Sequence, residues 1–309
     1  MLQNAIRTIA ILSSLSLAAC GGGSAGENGT GAAGKIDTAL SGDTFQPLAS
    51  STSSPLASTP PVAADGSDSK RVATGPASIT EPPSSLGLDP YYKKYLDASG
   101  IPVVAAAEVD DRALFKAKHL IESMLAKRKD ARDALVAASS RFLIIPKDKG
   151  ITTLPEYSYL KQVPVPDGYA SWDARARGMG GSHTSCGEEN ILRLPGDPYQ
   201  GQGICVHEFA HTVLTSGVTM ADPAFVSQLN IHYHAIRGRE FIVNTYMATD
   251  VNEYWATAVQ AWYNAGYCRA VPDGVYGPLC DHLSFGQLDP GGYELVNRVF
   301  NSLGGDLLY

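Results

Sequence analysis

Ile204-Cys205-Val206-His207-Glu208-Phe209-Ala210-His211-Thr212-Val213-Leu214-Thr215-Ser216 is the stretch that decides how the rest of this chain is read. Val206, Phe209, Ala210 and Val213 recur at helical spacing, which predicts a helix over 204–216. On such a helix, residues four apart lie about 40° apart in projection and about 6 Å along the axis. The imidazoles of His207 and His211 can therefore reach one ion. Glu208 stands beside them, where it can handle the proton of a water held at that ion. The apolar stripe lies about a third of a turn away, so the helix can pack on one side and present its ligands on another.

An HExxH pattern alone is thin support, because chance supplies it roughly once in a hundred chains of this composition. A helix with two incidental histidines and a solvated glutamate is the bland alternative. A catalytic zinc site needs three protein ligands and one open position. The longer pattern HExxHxxGxxH is absent, since Leu214 and Gly217 occupy its last two fixed positions. A carboxylate from another segment is then the natural third ligand, with Asp222, Glu240, Asp250 and Glu253 as candidates downstream. The other histidines are weaker: His119 falls in an early helix, His183 and His282 in loops, and His232 and His234 flank Tyr233 at strand-like spacing. The last two are surface residues or substrate contacts.

Residues 245–256, Thr-Tyr-Met-Ala-Thr-Asp-Val-Asn-Glu-Tyr-Trp-Ala, resemble the second metal helix of gluzincins related to anthrax lethal factor and the Pro-Pro endopeptidases. In that group a glutamate is the third ligand and a tyrosine seven residues earlier faces the substrate carbonyl. Glu253 and Tyr246 stand at that separation. The likeness to this group covers about sixty residues. Most of the chain from Tyr91 onward also looks like exported HExxH proteins of bacteria and fungi, carried by Ser185-Cys186-Gly187-Glu188-Glu189-Asn190 and by residues 253–263. The resemblance implies an α+β, zincin-like metallopeptidase domain, mainly helical around the metal site with a small sheet. It implies one zinc ion on His207, His211 and Glu253, with Glu208 and Tyr246 catalytic. One departure stands out: many gluzincins carry an acid four residues after the ligand glutamate, as a partner for a metal-binding histidine, and Thr257 is found here. Loss of such a partner lowers affinity or activity roughly 10- to 100-fold. Glu253 also has a local alternative. Asp250-Val251-Asn252-Glu253 reads like a capping box, and Glu253 points away from the stripe of Val251, Tyr254, Trp255, Ala258, Val259 and Trp262, as a surface residue would.

The start of the chain reads as an address. Arg7 is the only charge before Cys20, residues 9–17 are short and mainly apolar, and Leu17-Ala18-Ala19-Cys20 closes the segment. That apolar run is too short to span a bilayer, which needs roughly 20 residues. Leu-Ala-Ala-Cys resembles the lipobox of bacterial lipoproteins, so residues 1–19 are expected to be removed and Cys20 lipidated. Gly21, rather than Asp, leans toward the outer membrane. The expected location is the cell envelope, on the periplasmic face or the cell surface, held by a lipid anchor. Residues 20–88 form a Gly/Ala/Ser/Thr/Pro-rich tether that cannot bury enough apolar surface to offset its ordering entropy. A flexible coil of that length reaches roughly 45 Å.

All three tryptophans and all 15 tyrosines lie from Tyr91 onward, so one domain is placed at residues 89–309. Helices are predicted over 111–127, 130–139, 251–265 and 292–303, a buried strand over 142–145, and loops with short strands over 164–203. Four cysteines remain after Cys20: Cys186, Cys205, Cys268 and Cys280. In an exported chain they read as two disulfides, with local pairing 186–205 and 268–280 preferred because both loops are short. A zinc site built from all four is the competitor, but no C-x2-C knuckle is present.

The net charge of −7 and the lack of a Lys/Arg run argue against nucleic acid as a partner. The expected partners are a peptide or protein substrate and a membrane, reached through the anchor; the oligomeric state is not legible. Two other readings stay open: a non-catalytic envelope lipoprotein that keeps zinc for stability, and a zinc amidase acting on cell-wall peptides.

Overall fold

The computed structural model describes residues 78–165 and 168–300. The export segment, Cys20 and most of the tether lie outside the described residues, as do positions 301–303 of the last expected helix. Five strands form one sheet: β1 (Lys94–Ala98), β2 (Ile101–Ala105), β3 (Phe142–Ile145), β4 (Gly178–Met179) and β5 (Thr184–Gly187). Their order is β1-β2-β3-β5-β4, with β2, β3 and β5 parallel and both edge strands antiparallel to their neighbours.

The β1–β2 hairpin turns on Ser99 and Gly100, both at positive φ (55° and 93°). That is the twist-matched two-residue turn, and Gly100 N–H is held by the Asp97 carboxylate at 3.1 Å. The run Phe142-Leu143-Ile144-Ile145 is buried throughout because helices and loops cover both sheet faces. Phe142 and Ile144 face the large core shared with Phe209, Trp255 and Trp262. Leu143 and Ile145 face a smaller one with Tyr92, Leu154 and Trp172.

The helix Asp111–Leu125 starts on its Asp110 cap and buries Leu114, Ala117, Ile121, Met124 and Leu125, the positions its spacing indicates. The helix Lys129–Ala137 follows as expected. Strands β1 and β2 lie where the sequence reading placed no element, and three further features differ from it. Residues 78–88 fell to the tether, yet Thr80 bridges to Tyr95 and Ser84–Leu86 form a 3-10 turn. His232 and His234 lie on a helix, Pro223–Ile236, capped by Asp222. The helix carrying the histidines is α-helical over Ile204–Thr212, widens into a π-helical segment over Val213–Val218, and runs on through Thr219–Ala221. The fold is therefore α+β with a small sheet, mainly helical around the candidate site.

Candidate metal centre

The motif helix Ile204–Thr212 is fixed at its start by the segment 185–190. Cys186–Cys205 is a disulfide that ties β5 to the first turn. The Asn190 side-chain oxygen accepts from the backbone N–H of Ile204 (2.9 Å) and Cys205 (3.4 Å), capping a helix whose own N-cap is the side-chain-less Gly203. Asn190 is held in turn by Asp197 and the carbonyl of Gln202, both at 2.9 Å. Glu188 accepts from the N–H groups of Asp110 and Lys147, and Glu189 pairs with Arg177 at 2.6 Å. On the far side, β4 runs into Gly180, where a Cβ would lie 2.2 Å from the carbonyl of Glu208 and 2.5 Å from His211 Cβ. Only glycine lets the edge strand press this close to the motif.

The second helix, Val251–Trp262, starts where Asp250 accepts from the N–H of Asn252 (2.7 Å) and Glu253 (3.0 Å). Asp250 does the capping, and Glu253 is released from that role. Trp255 Nε1–H donates to the Ala210 carbonyl at 2.9 Å and locks the two helices together. Glu253 is then turned inward, against the surface-residue alternative. His207, His211 and Glu253 are 1%, 3% and 2% exposed, and Glu208 is 0% exposed.

Glu253 Oε2 lies 3.1 Å from His207 Nε2 and 3.6 Å from His211 Nε2, and the two Nε2 atoms are 3.1 Å apart. Four-coordinate zinc with ligand distances of about 2.0–2.1 Å places neighbouring donors roughly 3.3 Å apart. The three atoms fit that triangle. Tyr246, in the turn Tyr246–Ala248, donates its phenol proton to Glu253 Oε1 at 3.2 Å, which puts its hydroxyl at the edge of the donor set.

The chemistry of the donors argues for a cation as well. Gln260 Nε2 donates to the Gly203 carbonyl at 3.2 Å, and a carbonyl can only accept, so Gln260 Oε1 faces His207 Nδ1 at 2.9 Å. The His207 ring therefore carries a proton on Nδ1, and in the neutral ring its Nε2 is a lone pair. Facing the Glu253 carboxylate, that lone pair is relieved either by a cation between the two or, without one, by a second ring proton that Nε2 donates to Glu253. Burial pushes the Glu253 carboxyl up, but hydrogen bonds and charge interactions with both imidazoles outweigh it and hold the group far below its ordinary range. Burial pulls the His211 imidazole down, more than Glu253 raises it. An ionised carboxylate and two unprotonated nitrogens are what a divalent zinc ion takes as ligands. The residues present fit the group.

No protein-family model matches the chain, and no curated protein matches it. Among solved structures it is similar to the Pro-Pro endopeptidase from Paenibacillus alvei, at 18% sequence identity and a TM-score of 0.41. That match covers 64% of this chain and 97% of the other.

The second disulfide, Cys268–Cys280, closes a loop alongside the site, so both local pairings expected from spacing are present. Tyr246 N–H donates to the Val275 carbonyl of this loop at 2.8 Å. Gly266, where a Cβ would lie 2.3 Å from the Cys280 carbonyl, lets the loop close against the end of the second helix. Asp222, Asp250 and Glu240, the other candidate acids, are not grouped with the histidines, nor are His119, His183, His232, His234 and His282. His232 pairs with Asp289 and His282 bonds to Trp262 and Tyr293.

Gln260 and Asn190 are the site residues that sequence reading missed. Asn190 appeared only inside a resemblance, and no local pattern shows that it caps a helix fourteen residues on. Gln260 sits two turns after Glu253, on the same side of that helix, and that spacing is the signal that identifies it.

Proposed function

We propose that this chain is an exported, lipid-anchored zinc metallopeptidase of gluzincin type, anchored through Cys20 and acting on peptide or protein substrates. The observation that carries the reading is the convergence of His207 Nε2, His211 Nε2 and a Glu253 carboxylate oxygen within 4.8 Å of one another, with Glu208 buried next to His207 on the same helix. His207, His211 and Glu253 would hold the ion, and Gln260 orients the first of them. Zinc bound there supplies Lewis acidity, making water a nucleophile near neutral pH and drawing electrons from a carbonyl. Glu208 takes the proton of the attacking water on its carboxylate and returns it to the leaving nitrogen. The Tyr246 phenol donates a hydrogen bond to the oxyanion that develops on the substrate carbonyl. Burial of all four ionisable groups keeps competing water away and strengthens each of these interactions.

The test is Glu208→Ala, which retains the three ligands. Cleavage of a diverse peptide library, read by mass spectrometry, should fall about 10²- to 10⁴-fold while the preparation still holds one zinc per chain. Unchanged cleavage by the variant overturns the assignment. One zinc with no cleavage by either protein points to the non-catalytic lipoprotein, and cleavage confined to peptidoglycan fragments points to the cell-wall amidase.

A further inference from the structure

Tyr246 can serve the reaction only if its phenol is held in one place, and no long element holds it. It lies in a single 3-10 turn, Tyr246–Ala248, between the helices Pro223–Ile236 and Val251–Trp262. Its bond to Glu253 Oε1, at 3.2 Å, is long for a pair of oxygens, so the backbone carries much of the positioning. That backbone is gripped from the disulfide-closed loop. Asn244 Nδ2 donates to the Pro272 carbonyl at 3.0 Å. The Asn244 carbonyl accepts from Gly274 N–H, and Tyr246 N–H donates to the Val275 carbonyl, both at 2.8 Å. Packing closes the same seam: a Cβ on Gly277 would lie 2.8 Å from Thr245 Cγ2.

The loop is itself braced where it makes these bonds. Asp273 accepts from the N–H groups of Val275 and Tyr276, at 3.1 and 2.8 Å, and pairs with Arg269 at 3.2 Å. Cys268–Cys280 closes its base. Asn244 is the joint between loop and turn. Its φ is +61°, a left-handed conformation that asparagine adopts more readily than most residues with a side chain. One residue thus turns the chain back toward the loop and ties it to Pro272. Asn244 is exposed, so these bonds hold the turn rather than fill the core.

We propose that Asn244 is a positioning residue for the reaction and acts through Tyr246, by tying the turn that carries the phenol to the braced Cys268–Cys280 loop. The proposal rests on the metallopeptidase reading above. A tyrosine hydroxyl is the far end of a long side chain, so a small rotation of the backbone displaces it by more than the backbone itself moves. Misplacing a reacting group by about 1 Å costs up to about 10²-fold in rate.

The experiment measures kcat and KM on a library peptide that the wild-type protein cleaves, beside amide hydrogen exchange at Tyr246 in the same zinc-loaded full chains. Asn244→Ala should lower kcat about 10- to 100-fold, leave KM within a few-fold, and speed exchange of the Tyr246 amide about tenfold or more. Asn244→Gly keeps the positive φ and should bring kcat back to within a few-fold of wild type. In a Tyr246→Phe background, Asn244→Ala should cost no further kcat, because both changes remove the same hydrogen bond to substrate. Cys268→Ser with Cys280→Ser, which opens the base of the loop, should give the same pattern and serves where Asn244→Ala does not fold. Losses that add in the double variant, or a Tyr246 amide that exchanges as slowly in Asn244→Ala as in wild type, overturn the proposal and leave the peptidase standing. A wild-type chain that cleaves no peptide overturns the peptidase, and the exchange rates then test the hold of Asn244 on the turn by themselves.

Discussion

Two clusters in this molecule have the same three kinds of side chain. In one, Tyr246, Glu253 and the imidazoles of His207 and His211 meet; in the other, Tyr254, Asp289 and His232 meet. Both carboxylates are buried and both face a histidine. The difference lies in what the partners offer. Asp289 accepts from His232 Nε2 at 2.8 Å, from the Tyr254 hydroxyl, and from the Gly292 N–H at 2.9 Å as cap of the helix Pro290–Val299. Every partner brings a proton, so the anion is satisfied as it stands. Glu253 accepts from the Tyr246 phenol on one oxygen, but its other oxygen faces His207 Nε2, which offers no proton in the neutral ring whose Nδ1–H is held by Gln260. A carboxylate whose every partner donates is satisfied as a cap, and one facing an unprotonated nitrogen suits a cation.

The contrast can be broken most strongly at the two carboxylates. Glu253→Gln should reduce zinc affinity beyond the 10- to 100-fold attached to outer partners, leaving no metal after dialysis against a mild chelator. Asp289→Asn should hold one zinc per chain throughout. Zinc content measured on both preparations decides between the two clusters, and equal retention would erase the distinction. The tyrosines come next. Tyr246→Phe should lower kcat about 10²- to 10³-fold with zinc retained, as loss of an oxyanion donor does. Tyr254→Phe should alter thermal stability and leave kcat within a few-fold.

Gln260 sharpens the comparison further. Gln260→Met keeps the volume and removes the acceptor, so zinc affinity should drop about 10- to 100-fold. Gln260→Glu restores an acceptor and should recover it, as measured by chelator competition. In the metal-free wild-type protein, nitrogen NMR of His207 should show the proton on Nδ1, and in Gln260→Met it should not be confined there. Matched affinities for wild type and Gln260→Met would remove Gln260 from the site.

How far the sequence revealed these clusters depends on the range over which their residues act. The helix Ile204–Thr212 and the closeness of its two histidines were legible because both depend on contacts within one turn. Glu253 was ambiguous from periodicity, since its helix packs its apolar stripe elsewhere while the carboxylate turns toward a second helix. Only the pairing of helices through Trp255 and Ala210 decides its direction. The helix Pro223–Ile236 was hidden by its composition: the alternation around His232 and His234 mimics a strand, and the burial of Phe225, Leu229 and Tyr233 overrides it. Strands β1 and β2 were missed because Ser99-Gly100 is a less familiar turn pair than Asn-Gly, though Gly supplies the same positive φ. Local disulfide pairing was legible from loop length alone. The Tyr254–Asp289–His232 cluster was not, because its members come from three helices with no shared spacing.

The smallest effect separates the clusters by acid. Burial alone would raise the Asp289 carboxyl, yet His232, Tyr254 and the Gly292 N–H together hold it below its ordinary value. A group whose folded pKa is depressed adds stability above its unfolded pKa, near 3.9, and loses it as pH falls through the folded value. Asp289→Asn should therefore cost about 1–2 kcal/mol of unfolding free energy at neutral pH, the range of a lost cap and charge-assisted bond. The gap between variant and wild type should close as pH falls below about 4. Urea unfolding of both proteins at a series of pH values measures it. If the gap instead widens below about pH 4, Asp289 is held neutral in the fold and its likeness to a saturated cap fails.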